Sequence, residues 1–413
     1  MQPLLKRFGL TGFLWRVLLT LLLLALAVLF TLTTPFDQTF VGYSFASALI
    51  FQIAMRPYRG ELGLTLASGA LLLLCRWIVQ PSWSLTLSTV LGALGIGSFF
   101  MLLTMLLWVG AEARPSINVA LFPALLMVWF NTMGRGMLLN LPGAFNHVTY
   151  DLYLFLFDGS LGFEPSSVVG HWYAASPWLY QFGKITYEGL ILAMALFYAA
   201  YARRQRSTPW FVMELYLLAA LAGYLICVFF GATGPRYAFP EFFNGAAPAY
   251  AQLWSFVPQR IFVPDDFPRN AIPSLHFTFA LQIWHNSRRL SRASHWLAFL
   301  VLLATLFDTL GTGEHYFVDL VVAIPFTLMV QAVCEHEVSW GTTIRRVSAL
   351  FGSATTVLWI IALRYETHVF LRSRVVPWMV VLVSTVVSFW LLSRLARTAE
   401  QIQTKGLAAV TST

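Results

Sequence analysis

Residues 271–280 read AIPSLHFTFA, from Ala271 to Ala280, and the apolar character runs on to Trp284. The stretch opens like a membrane helix, yet its first turn holds Ser274 and His276. Proline suits a first helical turn, where its missing N–H costs nothing, and serine caps such a turn. The ionisable ring at the head of an apolar helix is the feature that the rest of the chain has to explain.

Its surroundings are those of a membrane protein. Of 413 residues, 58% are apolar and only 11% charged, with a mean hydropathy of +0.70. A soluble domain carries about 25% charged residues. Long uncharged runs favour helices over the alternating pattern of a barrel. Runs of roughly 17–25 apolar residues predict about twelve spans, near 15–34, 40–55, 62–80, 87–110, 116–135, 177–201, 210–231, 271–286, 295–312, 315–335, 347–363 and 375–394. The fold class expected is therefore an all-α polytopic membrane protein. The first run follows Lys6, Arg7 and Arg16 as a signal peptide would, but its length and the missing A-x-A site favour an uncleaved span. Cys75, Cys227 and Cys334 lie in or beside apolar runs, which argues against a disulfide framework, a redox pair or a zinc site.

The net charge of +8 is dispersed in short clusters between spans, which fits topology signals and anionic head groups and not nucleic acid. Lys6 and Arg7, Arg56 and Arg59, Arg114, Arg203 to Arg206, Arg288, Arg289 and Arg292, Arg345 and Arg346, and the tail with Arg394, Arg397 and Lys405 fall on alternate connections. The positive-inside rule puts these, and both termini, in the cytoplasm. Arg364, Arg372 and Arg374 dissent, on the expected outer side. Two long outer loops, 136–176 and 232–270, are rich in Gly, Pro and aromatic residues, and long loops of that kind often carry sites. Within the first, residues 150–158 read either as an interfacial amphipathic helix or as an ordinary connecting one.

Three polar groups fall on that outer side: Gly231-Ala232-Thr233-Gly234-Pro235-Arg236-Tyr237, Pro273-Ser274-Leu275-His276 and Gly313-Glu314-His315-Tyr316-Phe317-Val318-Asp319. His315 and Asp319 share a helix face at a spacing of four. A carboxylate on one imidazole nitrogen fixes the tautomer and leaves the other nitrogen nucleophilic. Both histidines sit at helix N-termini, which favour a bound anion. One ring can attack phosphorus while the other protonates the leaving oxygen. Arg236 would hold phosphate oxygens, with Ser274 as cap or donor. Single interfacial histidines such as His147, His171, His285, His295, His336 and His368 read as ordinary hydrogen-bonded residues. The three groups at one depth read as a functional site, because ionisable groups in a membrane are costly.

The set P-S-x-H and H-x-x-x-D resembles the second and third motifs of the type 2 phosphatidic acid phosphatase superfamily. His315-Tyr316-Phe317-Val318-Asp319 and the preceding Gly234-Pro235-Arg236-Tyr237 are similar to the branch of inositol phosphorylceramide and sphingomyelin synthases. Asp158-Gly159-Ser160-Leu161-Gly162-Phe163-Glu164-Pro165-Ser166 resembles that branch's D-x-x-L-F-G-x-x-P-S pattern. The resemblance covers about 120–335 and implies a six-helix core with His315 as nucleophile, Asp319 as orienting acid and His276 as proton donor. It implies no metal and no cofactor. Arg236, Tyr237, Ser274 and Asp158 are the expected phosphate or substrate contacts, with Lys184 and Arg269 as possible helpers, although Lys184 and Glu188 also suit an ion pair. The phosphatase lysine and arginine are missing; Asp308 and Thr309 stand where Ser-Arg would precede the third motif.

The reading this supports is a phosphotransferase moving a phosphoinositol-like head group from a donor phospholipid to an acceptor such as ceramide, with membrane lipids as its partners. The alternative is a lipid phosphate or polyprenyl-diphosphate phosphatase. A transporter, suggested by intramembrane Arg76, Lys184 and Asp308, would place polarity near the midplane in two related halves, which the chain lacks. The expected division is N-terminal spans over 1–115, a catalytic core over 116–335, and two C-terminal spans with a tail over 336–413.

Overall fold

The computed structural model describes residues 2–35, 38–81, 84–110, 114–131, 147–204, 210–244, 250–253, 255–264 and 267–411. The chain forms two compact units. One comprises Met1–Arg135 and Ile191–Pro209, the other Gly136–Leu190 and Trp210–Thr413.

Helix dominates both, and among the described residues nine helices are long and apolar enough to cross a membrane. The protein is an all-α, multi-pass membrane protein. Helices stand at all twelve expected positions, but three are short. Thr39–Ala54 and Arg114–Trp129 have 16 residues each, and Leu275–Ser287 has 13. At 1.5 Å per residue the last spans about 20 Å, against a hydrocarbon core of about 30 Å. It is short because Pro273 and Ser274 are used to start it and the chain turns at Arg288. The expected fifth span beyond Asn131 lies outside the described residues.

In the first unit, α1 (Gln2–Thr33), α2 (Thr39–Ala54), α3 (Arg59–Val79) and α5 (Arg114–Trp129) pack around α4 (Leu87–Trp108). Small residues permit the close approach that membrane helices need in place of a hydrophobic drive. A Cβ on Gly95 would stand 2.1 Å from the carbonyl oxygen of Phe45. Arg76 is structural: its guanidinium donates to the carbonyls of Thr31 and Thr34 at the C-terminal end of α1 (2.6 and 2.7 Å), where a cation complements the helix dipole.

The second unit holds α6 (Asp151–Ser160), α7 (Pro165–Ala175), the first half of α8 (Pro177–Arg204), α9 (Phe211–Phe229), α10 (Leu275–Ser287), α11 (Arg292–Gly311), α12 (Phe317–Cys334), α13 (Thr343–Tyr365) and α14 (Val375–Thr411). Its axis is α12, with 83% of its spanning window buried. Helices α6, α9, α10, α13 and α14 all pack on α12. Helix α6 is not interfacial. All its described side chains but Tyr153 are buried, and Leu154 to Phe157 join Phe230, Trp359 and Phe370 in one aromatic cluster. The alternation of α6 is therefore that of a connecting helix sunk into protein. One of the dissenting cations also finds a contact there: Arg364 lies over the Tyr150 ring at 5.3 Å. This cation–π contact, with the hydrogen bond from Trp378 to the Leu161 carbonyl, ties both sides of loop 364–374 to the α6 end of the unit.

Candidate active site

Every element of the site belongs to the second unit. Three loop segments meet where α10 and α12 begin. The segment after α9 binds the other two through its backbone: Ala271 N–H donates to Ala232 O (2.9 Å) and Arg236 N–H to Gly313 O (3.1 Å). Glycine is required at 234, where φ is +100° and a Cβ would stand 2.4 Å from the Glu314 carbonyl oxygen.

Two buried carboxylates lock this junction. Asp151 accepts from the N–H groups of Thr233 and Gly234 and from the Tyr316 hydroxyl, all at 2.9–3.0 Å. Burial pushes the Asp151 carboxyl and the Tyr316 phenol above their ordinary ranges, and in Tyr316 the neighbouring Asp151 adds to the rise. Asp158 accepts from Phe317 N–H (2.6 Å) and Val318 N–H (3.0 Å), capping α12 from another helix. Asp158 is thus not a phosphate contact. It is wholly buried, its oxygens face backbone donors, and a carboxylate would repel phosphate. Ser166 holds the same region by donating to the His315 carbonyl at 2.9 Å.

His315 is buried, 3% exposed, and its Nδ1 lies 2.8 Å from the Ala271 carbonyl oxygen and 3.4 Å from Oδ2 of Asp319. A carbonyl can only accept, so Nδ1 carries a proton, and in the neutral ring the lone pair is then on Nε2. Asp319 is held in turn by Tyr316 N–H, which donates to Oδ2 at 2.8 Å. His276 is partly exposed, on the first turn of α10, with its ring centroid 6.3 Å from that of His315. Ser274 caps α10, its Oγ accepting from Phe277 N–H at 3.4 Å. Residues 152–333 match the family model of the PAP2 superfamily.

That match spans both histidines and Asp319, and it supports a lipid phosphatase or phosphotransferase type of function. No curated protein and no solved structure matches the chain.

Around this PAP2-like centre the expected helpers separate. Arg236 borders the site, 44% exposed, with Nη1 3.7 Å from Oε1 of Glu314; the Tyr237 hydroxyl donates to the same oxygen at 2.8 Å. Arg269 is wholly buried and donates to the Val263 carbonyl at 2.8 Å, so it braces the loop carrying Ala271. Lys184 is exposed on α8 and forms no ion pair with Glu188. Asp308, which occupies the place of the missing serine, accepts from Tyr173 and Thr186 and is a structural acid.

The sequence did not reveal two contributors. Tyr187 stacks on His276 with centroids 3.9 Å apart and planes 20° from parallel, and the Ala271 carbonyl fixes His315. Tyr187 lies one helix turn from Lys184 on the same helix, a proximity only the fold makes meaningful. A backbone carbonyl leaves no trace in residue type. The other histidines have local partners: His171 meets the Ser167 carbonyl, His285 meets Arg288, His295 meets Ser287, His336 meets Glu214 and His368 meets Glu366. Among the described residues no three His, Cys, Asp or Glu side chains form a metal-binding group.

Proposed function

We propose that the chain is a membrane lipid phosphotransferase that moves a phospho-head-group, phosphoinositol-like, from a donor phospholipid to an acceptor lipid such as ceramide. The observation that carries this is the 2.8 Å contact of His315 Nδ1 with the Ala271 carbonyl. With Nδ1–H held by the Ala271 carbonyl, Nε2 is a preorganised nucleophile. Nε2 attacks the donor phosphorus, the P–O bond to diacylglycerol breaks, and His276 gives that oxygen its proton. The acceptor hydroxyl then loses its proton to His276 and attacks the phosphohistidine, which restores Nε2. His276, Asp319 and Arg236 serve as acid–base, orienting and oxygen-binding groups.

Charge favours a phosphodiester over a phosphomonoester. A donor phosphodiester carries one negative charge, whereas a phosphomonoester carries about 1.5 to 2 at neutral pH. Arg236 is the cation at the mouth, and Glu314 partly neutralises it. The active site is read as extracytoplasmic and both termini as cytoplasmic, on the charge of the connections.

The purified chain, reconstituted with head-group-labelled phosphatidylinositol and ceramide, tests the reading by mass spectrometry. Label on the acceptor, absent in His315→Ala, is expected. Label released only as water-soluble phosphate, or conversion of phosphatidic acid alone, would make the protein a phosphatase.

A further inference from the structure

The first unit encloses a cavity of about 390 Å³ that the histidine chemistry does not use. It forms where three helix ends converge: the C-terminal ends of α2 and α8 and the N-terminal end of α5. These are ends that the arginine pattern assigns to a single side.

The lining divides by chemistry. Phe51, Val119 and Tyr198 form an apolar wall, with the Tyr198 hydroxyl already donating to the Val119 carbonyl. Arg56 and Arg203 form a cationic rim, and among the described residues no Asp or Glu lines the cavity. Other cationic connections behave differently. Arg289 pairs with Glu335 at 2.9 Å, and Arg345 donates to the carbonyls of Ala332, Val333 and Val338. Among the described residues the side chains of Arg56 and Arg203 make no hydrogen bond or ion pair. Ser116, in the first turn of α5, completes the rim where helix N–H groups have no intrahelical acceptor.

We propose that this cavity binds the phosphate group of an anionic lipid, its glycerol and first acyl carbons lying on the Phe51–Val119–Tyr198 wall. Two guanidinium forks with no acceptor among the described residues match phosphate oxygens in shape and charge. The volume falls in the range of about 300–1,000 Å³ usual for small-molecule sites. An apolar wall beside a cationic rim fits an amphiphile better than a free ion.

A diazirine-bearing phosphonate analogue of phosphatidic acid tests this on the full chain in phosphatidylcholine nanodiscs, with adducts mapped by mass spectrometry. Adducts are expected on peptides containing 51–56, 115–119 and 198–203. Dihexanoyl phosphatidic acid should displace the probe and dihexanoyl phosphatidylcholine should not. In Arg56→Gln/Arg203→Gln the adduct yield should fall at least about tenfold, given the strength of charge-assisted bonds, while adducts on peptides bearing His276 and His315 persist. Displacement by phosphatidylcholine, unchanged yield in the double variant, or equal displacement by inorganic phosphate would each overturn the lipid site; the last would leave a free-ion site. If the double variant does not fold, the competition on the wild-type chain decides.

Discussion

The carbonyl oxygen of Ala271 stands 2.8 Å from Nδ1 of His315, nearer than Oδ2 of Asp319 at 3.4 Å. A main-chain acceptor, not the carboxylate alone, therefore fixes the imidazole tautomer. The acceptor comes from the turn that starts α10, so the segment that carries His276 also aims His315. The two rings are coupled through one short stretch of backbone.

This arrangement predicts graded losses. His315→Ala should abolish turnover. His276→Ala should lower it by about 10²–10⁴-fold, the usual contribution of a positioned acid–base group. Asp319→Asn should cost less than His276→Ala, because Ala271 still holds the Nδ1 proton. Rates of head-group transfer in detergent, with unfolding temperatures as the control, give the order. A larger loss for Asp319→Asn than for His276→Ala would return the tautomer to the carboxylate.

Tyr187 predicts a second, subtler effect. Its ring stacks on His276 at 3.9 Å, so it restricts the angle at which that imidazole meets the leaving oxygen. Tyr187→Phe keeps the stacking surface and should retain most of the activity. Tyr187→Ala should lower kcat by about tenfold, within the effect of misplacing a reacting group, with KM little changed. The limb of the pH–rate profile assigned to His276 should also move. Equal losses in the two variants would mean that the hydroxyl acts and not the ring.

The architecture and the chemistry were legible to different depths. Hydropathy placed a helix at each of its twelve positions, nine of them long and apolar enough to span among the described residues, because lipid demands long apolar runs, and the PSLH and HYFVD segments announced themselves as costly polarity beside them. The failures share one cause. Asp158 was read as a ligand contact because residues 158–166 resemble a family pattern, yet it caps α12 from a helix 159 positions away in sequence. Asp151, which joins three segments, drew no notice for the same reason. Pairings across the fold between a side chain and a backbone N–H leave no spacing to read. The partner of Arg364, the Tyr150 ring, likewise lies in a distant segment.

Asp158 offers a direct test of its structural role. Removing it leaves the N–H groups of Phe317 and Val318 without their acceptor, and both are drawn from the start of the central helix. Asp158→Ala should cost about 2–4 kcal/mol, because two N–H groups are left without an acceptor. Asp158→Asn keeps one acceptor and should cost roughly half as much. Thermal unfolding followed through the buried thiols Cys227 and Cys334 measures both. A stable Asp158→Ala protein with defective substrate binding would restore the phosphate-contact role.

The same carboxylate predicts a pH dependence of stability. Glu164 is buried beside Asp158, and its Oε1 has no hydrogen-bond partner. Burial first, and then repulsion from Asp158, hold the Glu164 carboxyl well above its ordinary 4.5; burial first, and then the Asp319 charge, raise that of Asp158. Both folded-state values lie above the unfolded ones, so the folded protein keeps protons that the unfolded chain has released. The stability these groups contribute is complete below the unfolded values and is lost as pH rises through the folded ones. Each proton gives a slope of at most about 1.4 kcal/mol per pH unit in that window. Unfolding temperatures should therefore fall as pH is raised from about 4.5, and Glu164→Gln should flatten the fall, because its amide cannot ionise. An unfolding temperature that rises over that interval in the wild-type chain, or an equally steep fall in Glu164→Gln, would show that other groups set the pH response.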